Sequence, residues 1–251
     1  MKNSVKAIVC VIAVLLAVTF AFSGCDFTRK LGGAETTFPS KVAKAKNLSF
    51  KMKIDYRKGD ATTVVDMDCY KTSDESGTEE YAYIYSSAGA LYDSYKNIYA
   101  GGKLYEIVNL TKNSGTYYVK NGVGVDDEGN ILYHVTKNIL LTSVAAFLSK
   151  SKKETLNDET VYRYDIDING KSVSIWYNDK VLVKLYAEFE GENGEETEIY
   201  TLSLSDYKFD ETISSDVFAK PDAYKLTYIE SPLSFETWMS VITEFSSKIG
   251  K

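Results

Sequence analysis

LSFKMKIDY (Leu48–Tyr56) alternates apolar with polar residues at nearly every step. RKGD (Arg57–Asp60) then leads into TTVVDMDCY (Thr62–Tyr70), where Val65, Met67 and Cys69 share one side and Asp66 and Asp68 the other. A period of two is that of a strand with one buried and one wet face, and two such runs around a short polar turn make a hairpin. The pattern continues through Glu80–Ser86, Tyr95–Ala100, Leu104–Asn109 and Gly115–Lys120, and again through Thr160–Ile168, Ser172–Asn178, Lys180–Glu190 and Thr197–Asp206. Ala100-Gly101-Gly102-Lys103, Asn113-Ser114 and Asn169-Gly170 supply the turns, Asn-Gly being the strongest short hairpin signal. With 20 tyrosines and three prolines, long uninterrupted strands are expected. The expected class is α+β, built on a large antiparallel meander of about ten strands.

Three stretches break the period. Lys41–Lys46 (KVAKAK) follows Pro39-Ser40 as a short helix candidate. His134–Lys152 carries an apolar block from Ile139 to Leu148, long enough for a helix against the sheet. In Phe235–Ile249, Phe235, Trp238, Ile242, Phe245 and Ile249 recur at three- and four-residue steps, with Ser234 as N-cap and Gly250 as stop. A helix over 235–249 is therefore expected at the end of a single domain spanning 36–251.

The first residues read as an export signal. Lys2 and Lys6 precede an uncharged run from Ala7 to Phe22, then Ser23, Gly24 and Cys25. Ser23-Gly24-Cys25 resembles the lipobox of bacterial lipoproteins, with Phe22 where an aliphatic residue is usual. The resemblance implies cleavage between Gly24 and Cys25, a diacylglycerol on the Cys25 thiol, palmitate among the acyl chains, and a place on the extracytoplasmic face of the cell membrane. Two or more acyl chains hold a protein on a membrane almost permanently. Residues 1–24 are then the signal peptide, and 25–35, with Gly32-Gly33, the lipidated tether.

Removing residues 1–24 leaves 227 of the 251 residues and takes Lys2 and Lys6 away, so 27 basic residues face 35 acidic ones, a formal charge of −8. Such a balance argues against nucleic acid, a polyanion recognised by basic patches. Cys10 leaves with the signal and Cys25 is modified. Cys69 is then the one free thiol, its alternation with Val65 and Met67 marking it as a small buried hydrophobe.

Motifs for catalysis or metal binding fail on their details. The lone histidine, His134, has no nucleophile beside it in sequence. Asp126-Asp127-Glu128-Gly129-Asn130 has Lys137 where a calcium loop needs its bidentate glutamate, and reads as an exposed hairpin tip. Gly122–Asp127 is a turn and not a dinucleotide fingerprint. Asp165 and Asp167 alternate with Tyr164 and Ile166 as the wet face of a strand, and Glu188–Glu198 reads as an exposed charged turn. No catalytic residue, metal or cofactor is assigned. Tyr81, Tyr83 and Tyr85 fall on one face, as do Tyr162 and Tyr164. They fit either ordinary core packing or a tyrosine-lined pocket.

A helix running into AKNLSFKMKIDY (Ala45–Tyr56), a long meander, a mid-chain helix and the closing LSLSDYKFDETISSDVFAKP (Leu202–Pro221) together resemble the lipoprotein-carrier (LolA-like) superfamily. The resemblance covers most of 36–222. It implies a curved, unclosed half-barrel sheet with covering helices, and an apolar, lipid-like ligand between them. The expected function is that of a membrane-anchored, non-enzymatic binding or carrier lipoprotein. The alternative is a cell-surface structural or protein-interaction lipoprotein with a filled core.

Overall fold

The alternating stretches fold as strands in the computed structural model, which describes residues 30–31, 34–35, 41, 44–86, 94–111, 114–127, 130, 133, 151–168, 171–178, 181–190, 196–221 and 226–230. Strands β1 (Lys30–Leu31) and β2 (Ala34–Glu35) form a separate antiparallel ladder within the stretch expected to act as a tether. A first meander comprises β3 (Asn47–Lys58), β4 (Ala61–Ser73), β5 (Glu79–Tyr85), β6 (Ser94–Ala100), β7 (Lys103–Thr111) and β8 (Ser114–Asn121). A second comprises β9 (Lys152–Leu156), β10 (Glu159–Ile168), β11 (Lys171–Tyr177), β12 (Leu182–Phe189) and β13 (Glu198–Phe209).

The two meanders join because β13 returns to pair with β3, giving one open 12-stranded sheet that runs from β14 (Thr227–Tyr228) through β8 to β3, then through β13 to β9. Every pairing is antiparallel except that of β14 with β8. The seam runs in register from Glu198 opposite Lys58 to Phe209 opposite Leu48, with a bulge between Ser205 and Lys208. At one end Asp210 Oδ1 accepts from the Lys46 backbone N–H at 2.8 Å, while its own N–H donates to Asn47 O at 2.8 Å. At the other end Lys58 Nζ donates to Glu198 Oε1 at 2.8 Å.

Two hairpins show how local chemistry sets the turns. Gly101 (φ 55°) and Gly102 (φ 72°) supply the two left-handed residues of a tight loop between β6 and β7. Asn157 (φ 50°) and Asp158 (φ 64°) do the same between β9 and β10, since both tolerate that region through local hydrogen bonding.

This second hairpin corrects the expected helix over 134–152: Ser151 is not helical and Lys152 opens β9. Residues 134–150 of that helix and all of 235–249 lie outside the described residues. Covering helices are therefore absent from what is described, where helix is confined to Lys41, Lys44, Tyr133, a 3-10 turn at Ser215–Val217 and single 3-10 residues at Ser86 and Pro221. The early helix candidate stops before Ala45, whose N–H donates to Lys41 O at 2.8 Å. Among the described residues no helix is long and apolar enough to cross a membrane.

Leu48, Phe50, Met52 and Ile54 of β3 share the buried inner face with Val65, Met67 and Cys69 of β4 and with Leu202 and Leu204 of β13. Their outward neighbours Lys51, Lys53 and Asp55 keep that side of β3 polar. The outer face over β5–β7 differs, because Ala82, Ile98, Ala100 and Ile107 are buried there too. Val217, Phe218 and Leu226 of the return segment after β13 pack against them. Lys96 Nζ donates to Asp216 O at 3.0 Å, and Lys220 pairs with Glu80 at 2.9 Å. Over β9–β12 the outer face carries a flat polar lattice. Arg163 and Lys184 lie over the Trp176 ring at 5.2 and 4.6 Å, and Trp176 Nε1 donates to Glu154 Oε2 at 2.7 Å. Asp165 accepts from Lys152, Arg163 and Ser174 at 2.8, 2.6 and 2.7 Å.

Candidate functional site

Strand register assembles the site. On the inner face one row crosses the first meander as Cys69, Tyr83, Asn97, Glu106 and Tyr118, each directly opposite the next. A neighbouring row holds Lys71, Tyr81, Tyr99 and Leu104. On the other side stand Met67 opposite Tyr85, and Tyr95 opposite Val108. Asn97 and Glu106 thus sit as a cross-strand pair in the middle of a tyrosine patch. Both are buried, Asn97 to 1% exposure and Glu106 to 6%.

The rings meet edge to face or tilted, as aromatic quadrupoles favour. Tyr83 and Tyr99 are 6.1 Å apart at 87°, Tyr85 and Tyr95 4.9 Å apart at 47°, and Tyr81 and Tyr133 6.2 Å apart at 75°. Asn97 Nδ2 donates to the Tyr85 hydroxyl at 3.3 Å. The Tyr83 hydroxyl donates to Asn130 Oδ1, which also accepts the Tyr133 backbone N–H at 3.1 Å, while Asn130 Nδ2 donates to Val125 O at 2.6 Å. Asn130 is fully buried. This corrects the reading of Asp126–Asn130 as an exposed hairpin tip: Asp126 faces solvent, but the amide at its end turns inward because Tyr83 offers it a partner.

Burial pushes the Tyr85, Tyr95 and Tyr99 hydroxyls well above the ordinary phenol range. The Glu106 carboxylate adds to the rise of all three, and Asp127 to that of Tyr99. At neutral pH these groups are protonated phenols. They can donate and accept hydrogen bonds but do not supply a tyrosinate base or nucleophile.

Of the other singled-out residues, Cys69 stands opposite Tyr83 at the margin of this patch, while Asp165 and Glu198 lie on other strands. Gly24, Cys25 and His134 lie outside the described residues. Cys69 is buried, and burial, with the charge of Asp68, holds its thiol well above the usual range. Asp165 belongs to the outer lattice. Burial opposes its ionisation, yet hydrogen bonds from Lys152, Ser174 and Arg163 outweigh that and lower it to about 2. Glu198 corrects the exposed reading of Glu188–Glu198, since it is 5% exposed and engaged by Lys58 and the Tyr200 hydroxyl. Among the described residues no three His, Cys, Asp or Glu side chains gather as a metal site. Asn97 and Glu106 were not singled out by sequence reasoning. Their signal was a lone polar residue in an otherwise apolar i, i+2 series, Asn97 between Tyr95 and Tyr99 and Glu106 between Leu104 and Val108.

No protein-family model matches the chain, and no curated protein matches it. Several solved structures are similar to this chain over most of its length. PNGF-II matches over 79% of this chain at 9% identity and a TM-score of 0.33; the chain spans 33% of that protein, about a third of its length. A LolA superfamily protein from Nitrosomonas europaea matches over 74% of this chain and 99% of its own, at 15% identity and a TM-score of 0.30. The Pseudomonas aeruginosa MucA/MucB complex contributes a match over 76% of this chain and 61% of that one, at 7% identity and a TM-score of 0.39.

Proposed function

We propose that this protein is a membrane-anchored, extracytoplasmic lipoprotein that binds an apolar, lipid-like ligand on the inner face of its sheet and carries it without chemical change. One observation carries the reading. Seven of the largest fully buried side chains are tyrosines: Tyr81, Tyr83, Tyr95, Tyr99, Tyr164, Tyr177 and Tyr200. A layer selected for packing alone is filled by Leu, Ile, Val and Phe, because each buried hydroxyl needs a partner. Tyrosine gives broad apolar faces with polar edges, the surface an amphipathic guest requires. In this reading the open sheet is a half-barrel.

Saturable, one-to-one binding of the neutral probe N-phenyl-1-naphthylamine to the full chain, reversed by long-chain alkyl compounds, is the expected result. No saturable binding would turn the assignment to a protein-interaction lipoprotein with a filled core. That rival is favoured by the close ring contacts around Tyr85 and Tyr95. Anchoring through Cys25 is tested separately: Cys25→Ser abolishes palmitate incorporation, and equal labelling of both proteins would reject the anchor.

A further inference from the structure

We propose that the edge of β8 turned away from β7, beyond the short cover given by β14, docks an extended segment of another protein that carries an acidic side chain beside Lys120. This surface is separate from the apolar-ligand reading and does not depend on it. Strand β14 shows how a guest sits there. Thr227 and Tyr228 run parallel to Thr116 and Tyr117, Ile229 N–H donates to Tyr117 O at 2.9 Å, and the Tyr228 ring lies 5.4 Å from that of Tyr117. Yet β14 has two residues, whereas β8 has eight and continues through Tyr118, Val119, Lys120 and Asn121. Among the described residues no strand pairs with that continuation on the side away from β7.

Backbone groups alternate between the two edges of a strand. Because Tyr117 O is turned towards β14, the N–H and C=O of Val119 and Asn121 point the same way. The Val119 side chain continues the line of Tyr117 on the outer face, opposite Tyr105, and Lys120 stands exposed on the inner side, opposite Leu104. Such a row is a template for strand addition, in which main-chain bonds give affinity and alternate side chains give selectivity. The other end of the sheet is built against it. There β9 is only five residues long and presents Lys152, Lys153 and Glu154, and charges on a short edge strand deter pairing. Charge also separates a different protein from a second copy. Two copies meeting antiparallel about a two-fold axis over Val119–Asn121 set Lys120 opposite its own counterpart, a repulsive cross-strand pair. Centring the pair on Val119 avoids this but needs the Tyr117 edge, which β14 holds. A guest strand with a carboxylate at that place makes the pair attractive.

Fluorescence anisotropy of a capped, labelled nonapeptide of alternating threonine and valine, with glutamate in place of its central threonine, titrated with the full chain, tests the proposal. Saturable one-to-one binding with Kd below about 1 mM is expected. Lys120→Glu is expected to weaken it at least about threefold, and a peptide with lysine at the central place to reverse that order. Val119→Pro removes only a donor that β7 does not use, a change that edge strands tolerate, and is expected to weaken binding about tenfold. Absence of saturable binding by the wild type overturns the proposal, and so does equal binding of the glutamate peptide by a folded Lys120→Glu protein. A concentration-dependent dimer that Val119→Pro abolishes gives the edge to a second copy and overturns it as well. Should Val119→Pro fail to fold, the charge exchange at Lys120 decides alone.

Discussion

The outer face of the sheet is shielded differently over its two meanders. Over β5–β7 the strands are apolar on both sides, and Ile98 and Ile107 are covered by a separate piece of chain that carries Val217, Phe218 and Leu226. Over β9–β12 no described segment crosses. There the strands' own long side chains lie flat, with Trp176 beneath Arg163 and Lys184 and tied to Glu154. The first solution takes aliphatic groups out of water and uses a separate piece of chain to do so. The second needs no extra chain, but it depends on charges that water and acid can reach. An open sheet can therefore keep one outer region as true core and the other as an adjustable surface.

Truncation beneath the return segment should be the costliest break in this contrast. Ile107 is fully buried, so Ile107→Ala is expected to lose about 2–5 kcal/mol by leaving a cavity between two layers. A urea midpoint shifted no more than by a surface substitution would show that the segment is not a packed layer. Trp176→Ala removes a larger side chain yet is expected to cost less, about 1–2 kcal/mol, because the vacated space opens to water and the cations rehydrate. A loss matching that of Ile107→Ala would erase the distinction.

The smallest effect concerns acid. Asp165 has a folded-state pKa of about 2, below the ordinary carboxylate value, so its ionised form is favoured by folding. Its contribution is present above about pH 4 and is lost as pH falls towards about 2. Solvent screening keeps it modest, since the carboxylate is 34% exposed. The stability advantage of the wild type over Asp165→Asn should shrink across that window. An advantage constant from pH 5 to pH 2 would mean that the lattice does not depend on this charge.

Much of the fold was legible because one-sided burial writes itself as alternation. In the β3–β4 hairpin, Val65, Met67 and Cys69 fall on the buried face and Asp66 and Asp68 outside, as their spacing predicts. Strand β9 was missed because KKETL, exposed on an edge, has no apolar face to alternate; its readable mark was the Asn157-Asp158 turn. Asn97 and Glu106 stayed hidden for the opposite reason. Strand β6 is buried on both sides, so the period that would assign a face to Asn97 is lost among Tyr95, Ile98 and Tyr99. The pairing of β3 with β13 could not be read at all, since nothing in either strand's own pattern names its partner. Glu198 illustrates the cost: it looks like part of a charged turn until Lys58 arrives opposite it.

That pairing also dictates how the molecule can be made. The contacts closing the seam join residues 140 and 164 positions apart, Lys58 with Glu198 and Lys46 with Asp210. Each meander can form from neighbouring hairpins, but bringing such distant strands together exacts loop-closure entropy before any contact rewards it. Until residues 198–210 have paired, β3 stands as the open edge of a half-finished sheet, its outer backbone donors and acceptors able to template another chain. Assembly is therefore governed by the arrival of the last long strand, and it is during that interval that the chain most needs to be kept from others like itself.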